Sequence, residues 1–286
     1  MDYTILNKCA DLHIHTIASD GTFSPRRVVQ EAAKKGIHAI AITDHDTVQA
    51  IPEAIQAGRD MNVEVIPGVE LATDERGIEV HILGLFIDWE NKTLQDTLKD
   101  LSVQRVSRMK KMISKLAQFG INIKFEEVLE LAKGGIIGRL HLAQVMKKKG
   151  YVISIAEAFN KHIGDRKACY VPRYKLSLEE TILLIYRVGG ISILAHPMLL
   201  HRDDIIIDLL KEGLGGIEAF CNHQSKESTE HYEKMAKEYG LLVTGGSDCH
   251  GEAKDRVLMG SVKIPYEYVE RLKECKESMS GKNIHY

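Results

Sequence analysis

The chain alternates short apolar runs with helical stretches, and this rhythm limits the folds it can adopt. "IHAIAI" at 37–42 lies between two predicted helices, "VEVIPGVEL" and "EVHILGLF" follow, and "ISILAHP", "GIEAF" and "LLVTGGSDCH" resume the pattern after residue 172. Short apolar strands separated by helices are typical of βα units and a parallel sheet. The runs predict an α/β fold with about seven strands around a barrel.

Residues 91–172 do not follow this rhythm. "LQDTLKDLSVQRVSRMKKMISKLAQFG" places apolar residues at helical spacing, and no clear strand follows before about residue 165. We therefore expect a barrel formed by residues 1–90 and 173–286. We expect residues 91–172 to be an all-helical insertion that covers the mouth of this barrel.

Metal-competent side chains fall near the carboxyl ends of six predicted strands, where parallel α/β enzymes place their chemistry. His13 and His15 are two residues apart, so on a strand their side chains point the same way, and Asp248 and His250 repeat that spacing. The other ends carry His45, Glu70, His81 and His196. A single His-x-His is more often an ordinary buried pair, but the same chemistry at six ends favours a metal site. Imidazoles and carboxylates without thiolates suit Zn²⁺, Mn²⁺ or Fe²⁺.

The composition argues against several classes of protein and partner. A net charge of −2 and a pI near 6.7 create no overall field that would attract a DNA duplex or a membrane surface. No apolar run approaches the roughly 20 residues that span a bilayer, and the N-terminus lacks a signal-peptide pattern. The five cysteines are scattered and form no CxxC pair, so we expect a reducing, cytoplasmic location.

Five motifs, in order, resemble those of the PHP (polymerase and histidinol phosphatase) family: "DLHIHTIASDGTFSP", "AITDHDTV", "PGVELA" with "VHILGL", "LAHP" and "GSDCH". The middle of the chain resembles the helical insertion of one branch, which includes 3′,5′-nucleoside bisphosphate phosphatases and short-RNA 5′-exonucleases. This resemblance implies a distorted (β/α)7 TIM-like barrel. It also implies two or three bound divalent ions, with Mn²⁺ favoured over Fe²⁺ and Zn²⁺.

Carried over motif by motif, the resemblance gives nine metal ligands: His13, His15, Asp20, His45, Glu70, His81, His196, Asp248 and His250. Three of these are carboxylates, and two divalent ions already outweigh their charge, so the site should attract phosphate. The chain departs from the family at Cys249, where members often carry an aromatic residue. We read Cys249 as a core residue, because it should point away from Asp248 and His250.

The expected reaction is metal-dependent hydrolysis of a phosphate monoester. The resemblance favours the 3′-phosphate of a nucleoside 3′,5′-bisphosphate, with 5′–3′ exonuclease activity on short RNA as a further possibility. Two alternatives stay open: a histidinol-phosphate-type phosphatase of small molecules, and a metal-stabilised accessory module without enzymatic activity. The sequence leaves the oligomeric state open, and a monomer is compatible with it.

The residues that contact the substrate are less clear from the sequence. "GRLHLA" offers Arg139 and His141 beside glycines, and arginine suits bidentate recognition of phosphate. Arg105 and Arg108 belong to a basic stretch at 99–115, which is either a solvated helix face or a second phosphate clamp. Asp44 and His223 are candidates for proton transfer, and the sequence does not choose between them and a water molecule.

Overall fold

The computed structural model describes residues 8–132, 134–222, 224–253 and 257–280. Its strands are β1 (Cys9–Ile14), β2 (Ala39–Ile42), β3 (Glu64–Glu75), β4 (Ile78–Leu85), β5 (Ile191–Leu194), β6 (Gly216–Cys221), β7 (Leu242–Gly246) and β8 (Ile264–Pro265). They form one sheet in the order β7-β6-β5-β4-β3-β2-β1-β8. The sheet nearly closes, because the His15 amide donates to the Cys249 carbonyl at 3.0 Å beside the end of β7. The predicted TIM-like barrel is confirmed.

One part of the sheet differs from the parallel arrangement that the βα rhythm predicts. β4 runs antiparallel to both β3 and β5. Only Arg76 and Gly77 separate β3 from β4, and both have left-handed backbone angles, with φ of 52° and 78°. Two-residue turns of this kind join antiparallel strands into a hairpin. The prediction of parallel pairing is therefore wrong for β4, because a hairpin connects β3 to β4 and no crossover helix lies between them.

The helices of the described chain are α1 (Pro25–Lys34), α2 (Ile51–Met61), α3 (Lys92–Gln118), α4 (Phe125–Ala132), α5 (Arg139–Lys148), α6 (Ile155–Ala158), α7 (Leu178–Arg187), α8 (Asp203–Lys211), α9 (Lys226–Tyr239) and α10 (Glu267–Ser280). Their starts are capped as helix physics requires. Ser24 accepts the Arg27 amide at α1, and Ser177 and Glu180 form a capping box at α7.

Alternate residues of the strands supply two packed layers. Ala39 and Ala41 of β2 join an inner cluster that α10 also contacts, through Val269 and Leu272. Ile40 and Ile42 of the same strand join an outer cluster with residues of α1 and α2. This two-sided burial explains why β2 is apolar throughout and does not alternate with polar residues.

Helices occupy the described chain between β4 and α7, and they have a hydrophobic cluster of their own. Met112 and Leu116 of α3 pack there with residues of α4 and α5, whereas Leu94 and Leu98 at the start of α3 pack in the outer cluster of the barrel. The change of core therefore occurs within α3 and not at residue 91. Within the described residues, no helix is both long and apolar enough to cross a membrane.

Candidate metal centre

The loop after β1 is held in place by a buried carboxylate behind it. Asp44, at the end of β2, accepts the Thr16 amide and the Thr16 hydroxyl, each at 2.7 Å, and the Ser19 hydroxyl as well. Burial raises the pKa of Asp44, and the nearby His15 and these hydrogen bonds oppose that rise. The structure thus shows that Asp44 holds residues 16–19 in place, and its role in proton transfer stays a prediction.

Glu70 of β3 lies at the centre of the candidate site, with only 1% of its side chain exposed. Its Oε1 lies 2.7 Å from His81 Nδ1 and 3.2 Å from His196 Nε2. Its Oε2 lies 3.1 Å from His45 Nδ1, 3.2 Å from His15 Nε2 and 3.4 Å from His13 Nε2. One carboxylate therefore faces imidazoles from five different positions in the sequence.

The remaining predicted ligands complete the cluster on the side of β7. Asp248 Oδ1 lies 3.2 Å from His15 Nε2 and 3.5 Å from His250 Nδ1, and Asp20 Oδ1 lies 3.3 Å from His250 Nε2. Within the described residues, three groups have ligand atoms that all lie within 4.8 Å of one another: His15, Asp20, His45 and His250; His13, His15 and Asp248; and His45, Glu70 and His81. The structure brings all nine predicted residues into one site.

The hairpin explains how His81 reaches this site. Glu70 pairs with Leu83 across the two strands, and His81 lies two residues before Leu83, so Glu70 and His81 are diagonal neighbours on the same face. Because β4 runs antiparallel to β3, a residue near the start of β4 lies at the end of the barrel where β1, β2 and β7 finish. The sequence analysis also predicted His81 at this site, but it assumed that β4 runs parallel to its neighbours.

Left-handed backbone angles turn the chain at two of the predicted ligands. His196 has a φ of 31° and Asp248 a φ of 49°, which are uncommon for residues other than glycine. The prediction that Asp248 and His250 share a face through strand alternation is wrong, because β7 ends at Gly246. Gly246 itself leaves room for the site, since a Cβ there would lie 2.4 Å from the Cβ of His13.

The residues present fit transition-metal ions. Both ring nitrogens of His15, Nδ1 of His45 and Nδ1 of His196 are buried without a well-aligned hydrogen bond among the described residues, although His15 Nε2 and His45 Nδ1 lie 3.1–3.2 Å from carboxylate oxygens. Buried nitrogens without aligned hydrogen bonds are costly, and coordination to a cation would use them. Cys249 is buried in the core and its sulfur accepts the Gly251 amide, so the donor set is imidazole and carboxylate. This set suits Mn²⁺, Fe²⁺ and Zn²⁺ better than a thiolate site would.

The electrostatics of the cluster are strongly coupled. Burial works against the charge on Glu70, but His45, His81 and His13 outweigh burial and hold the pKa of Glu70 well below its usual range. Burial also opposes charge on His15, yet its contacts with Asp248 and Glu70 raise the pKa of His15 to about 10. Metal binding requires neutral imidazoles, so ions that enter this site must displace protons.

Two supporting carboxylates did not emerge from sequence reasoning. Glu218 of β6 is fully buried, with Oε1 3.1 Å from His13 Nδ1, while Oε2 accepts the His196 amide at 2.8 Å. Glu79 lies 3.2 Å from His81 Nε2. Carboxylates behind metal-binding histidines fix ring orientation. For Glu218, the sequence signal was a charged residue in the middle of the apolar strand "GIEAF". A search restricted to strand ends does not find it.

Two of the four predicted substrate-binding residues already form hydrogen bonds or ion pairs within the chain. Arg105 is buried and donates from Nε to Asp46 Oδ2 at 2.7 Å, so the structure commits it to an internal ion pair and the prediction for this residue is corrected. His141 accepts the Gly138 amide on Nδ1 at the start of α5. Its ring also lines a cavity of about 180 Å³ together with Asp20 and Gln144. His141 therefore caps a helix and still borders the site.

The other two predicted substrate-binding residues remain available to an anion. Arg108 donates from Nε to the Val171 carbonyl and lies over the ring of Tyr170 at 5.6 Å from its centre, and its two terminal amino groups form no hydrogen bond or ion pair within the described residues. Arg139 donates to Asp165 at 2.6 Å, but the Asp165 side chain is 71% exposed, so an anion can compete for Arg139. The predicted proton-transfer residue His223 lies outside the described residues.

Comparisons with known proteins agree with this geometry. The sequence profile of the PHP domain matches residues 11–171. The 5′-3′ exoribonuclease of Haemophilus influenzae is 32% identical over 250 residues, which cover 86% of this chain and 91% of that protein. A phosphoribosyl 1,2-cyclic phosphate 1,2-diphosphodiesterase of Eggerthella lenta is 30% identical, with coverage of 85% and 94%. A 3′,5′-nucleoside bisphosphate phosphatase of Chromobacterium violaceum is also 30% identical, with coverage of 84% and 86%.

The fold agrees as well. A crystal structure of a protein assigned as a metal-dependent phosphoesterase, from Bifidobacterium adolescentis, superposes with a TM-score of 0.86. The two chains are 29% identical, and the match covers 94% of this chain and 96% of that one. The similarity therefore includes both the barrel and the helices between β4 and α7.

Proposed function

The chain belongs to the PHP-domain family, and from that premise we propose that it is a metal-dependent phosphoesterase whose preferred substrate is a nucleoside 3′,5′-bisphosphate. The cluster around Glu70 is the observation that carries this proposal. It gathers six imidazoles and three carboxylates at the carboxyl end of the barrel, with thiolates excluded. The metals proposed are two or three divalent ions, with Mn²⁺ favoured.

The nine clustered residues would hold these ions, and Glu70 is the residue that contacts five of the six imidazoles. When bound, divalent ions at such a site neutralise phosphate charge and activate water as the nucleophile. The chain itself orients the ligands. Glu218 fixes the ring of His13, and Asp44 fixes the loop that carries Asp20. These supports reduce the reorganisation that substrate binding would otherwise require.

The helical segment supplies the proposed site for the second phosphate. Arg108 has unpaired terminal amino groups, and Arg139 is paired with an exposed carboxylate. The guanidinium of Arg139 also lies over the rings of Phe159 and Tyr170, at 5.5 and 5.4 Å from their centres, which limits its freedom. A bisphosphate would place one phosphate on the ions and the other against these arginines. The residues from α3 to α6 would then cover the mouth of the barrel.

A side-by-side substrate screen tests this proposal. We would load the purified chain with Mn²⁺ and measure kcat/KM for adenosine 3′,5′-bisphosphate, histidinol phosphate, p-nitrophenyl phosphate and a 5′-phosphorylated trinucleotide. The expected result is the highest kcat/KM for adenosine 3′,5′-bisphosphate, with release of its 3′-phosphate. Equal or higher kcat/KM for histidinol phosphate would overturn the assignment of substrate class.

A second candidate is 5′–3′ exonuclease activity on short RNA. The similarity to the exoribonuclease from Haemophilus influenzae supports it. Both substrates present a phosphate ester next to a second phosphate, so the same site can serve both. The trinucleotide arm separates them, because release of mononucleotides shows exonuclease activity while release of inorganic phosphate shows phosphatase activity. A cyclic phosphodiester should be included, because one relative is a cyclic phosphate diphosphodiesterase.

A further inference from the structure

Asp46 occupies an unusual place beside the metal centre. It directly follows the predicted ligand His45, has a left-handed φ of 53°, and its side chain is 1% exposed. Its amide donates to the carbonyl of Glu70 at 3.1 Å, and the Glu70 amide donates back to the carbonyl of Asp44 at 3.2 Å. The backbone of Asp46 is therefore tied to β3 at Glu70, just after the end of β2.

The carboxylate of Asp46 accepts hydrogen bonds from two arginines, one in α3 and one on the chain that follows α6. Arg105 of α3 lies within 2.7 Å of Oδ2 through both Nε and Nη2. Arg173, on the segment that leads into α7, donates to the same oxygen. Both guanidinium groups are nearly buried, with exposures of 9% and 11%. One residue thus contacts the chain on both sides of α4, α5 and α6, in α3 and just before α7.

These two arginines belong to a larger group of positive charges. Burial and the neighbouring guanidinium groups of Arg139, Arg173 and Arg105 lower the pKa of Arg108 to about 10, although Tyr170 opposes them. The four arginines therefore repel one another across a partly buried space. Among the described residues they form ion pairs with Asp46 and the exposed Asp165, and the partly exposed Glu79 also acts on Arg173. Asp46 supplies the buried negative charge that balances this group.

We propose that Asp46 is a positioning residue that docks the helical segment onto the metal-site loop and so presents Arg108 and Arg139 to an anionic part of the substrate. Loss of its charge would leave two buried guanidinium groups uncompensated, and breaking a buried pair on one side is costly. The helices would then separate from the loop at residues 45–46. The docking role stands on the contacts alone, whereas the role toward substrate rests on the proposed function.

Hydrogen–deuterium exchange of the full-length Asp46→Asn variant tests the docking role. Asp60→Asn is the matched control, because Asp60 pairs with Arg26 on the exposed surface and the chemical change is the same. In Asp46→Asn we expect amide exchange to rise about tenfold or more in α3 and α5, with α1 and α9 unchanged. An equal rise in all helices, or no rise in α3 and α5, would overturn the proposal.

Kinetics of the same variants test the consequence for substrate. The kcat/KM for adenosine 3′,5′-bisphosphate should fall about tenfold more than that for p-nitrophenyl phosphate, with the bound metal content unchanged. An equal fall on both substrates would show that Asp46 acts on the metal site and not through the arginines. If the wild-type chain does not hydrolyse bisphosphates, the proposed function fails, yet the exchange experiment still decides the docking role.

A second variant covers the case in which Asp46→Asn does not fold. Arg173→Lys keeps the positive charge but loses the planar fork of guanidinium donors. It should raise exchange in α3 and α5 in the same pattern, to a smaller extent. Wild-type exchange in Arg173→Lys would contradict the docking role.

Discussion

Glu70→Gln is the substitution that most directly tests how the metal centre is built. The change keeps the size of the side chain, removes its charge and replaces one carboxylate oxygen with an amide nitrogen. That nitrogen would face imidazoles at 2.7–3.2 Å or 3.1–3.4 Å, depending on which oxygen it replaces. In either orientation the side chain loses its charge and one of its two oxygens that could coordinate a metal, because an amide nitrogen is a donor.

The expected magnitude follows from the position of Glu70. Residues that only support metal ligands typically cost about 10–100-fold in affinity or activity when they are replaced. Glu70 contacts five of the clustered imidazoles directly and is 1% exposed, so its loss should reach or exceed the upper end of that range. We expect kcat to fall about 100-fold or more, which corresponds to about 2.7 kcal/mol. The bound metal should fall by at least one ion per chain.

Elemental analysis and steady-state kinetics on one preparation measure both quantities. Glu79→Gln is the matched control, because Glu79 contacts the other nitrogen of His81 at 3.2 Å and its side chain is 40% exposed. Because Glu79 is partly exposed and also pairs with Lys175, the control should keep its metal and lose about tenfold in kcat, at the lower end of the range for supporting residues. Full metal content and near-normal turnover in Glu70→Gln would refute the role of Glu70 as a metal ligand. A wild-type chain that is fully active with one ion or fewer would refute the multinuclear site itself.

Three further predictions concern the surroundings of the site. Arg139→Ala should lower kcat/KM for adenosine 3′,5′-bisphosphate by about 10–200-fold and leave kcat/KM for p-nitrophenyl phosphate nearly unchanged. Asp165→Asn is the control, and an equal loss on both substrates would exclude Arg139 as the site for the second phosphate. Glu218→Gln should weaken Mn²⁺ binding by about 10–100-fold in a metal titration, and unchanged affinity would show that the ring of His13 needs no support. Mn²⁺ binding near pH 7 should release protons and strengthen as pH rises, because the pKa values of His15 and His81 are raised to about 10 and about 9 in the metal-free protein. Calorimetry in two buffers of different ionisation enthalpy checks this release, and buffer-independent heats would contradict it.

The predicted ligands could be recognised because each lies in a short local pattern. His13, His15 and Asp20 fall within eight residues, and Asp248 and His250 within three. Such a pattern reports the chemistry of the side chains without any knowledge of their partners. Glu218 has no such pattern, because its function depends on His13, which is 205 residues away in the chain.

The substrate side of the site was harder to predict for a related reason. Arg105 and Arg108 are three residues apart on α3 and have the same chemistry, yet Arg105 is buried against Asp46 and Arg108 keeps unpaired donors. Residues three apart on a helix lie on nearly the same face, so the sequence predicts a similar environment for both. Only the packing of α3 against the loop at 45–46 gives them different partners. The same packing makes Asp46 a structural partner of the helices.

The sequence by itself determined the alternation of strands and helices, the helical character of the chain after residue 91, and the imidazole and carboxylate chemistry at the strand ends. Local periodicity and residue type are sufficient for these features, because they depend on neighbours within a few positions. Only the tertiary structure decided the antiparallel direction of β4, the left-handed turns at His196 and Asp248, the support from Glu218 and the commitment of Arg105 to Asp46. These features depend on contacts between distant segments, and packing selects such contacts only when the whole barrel has formed.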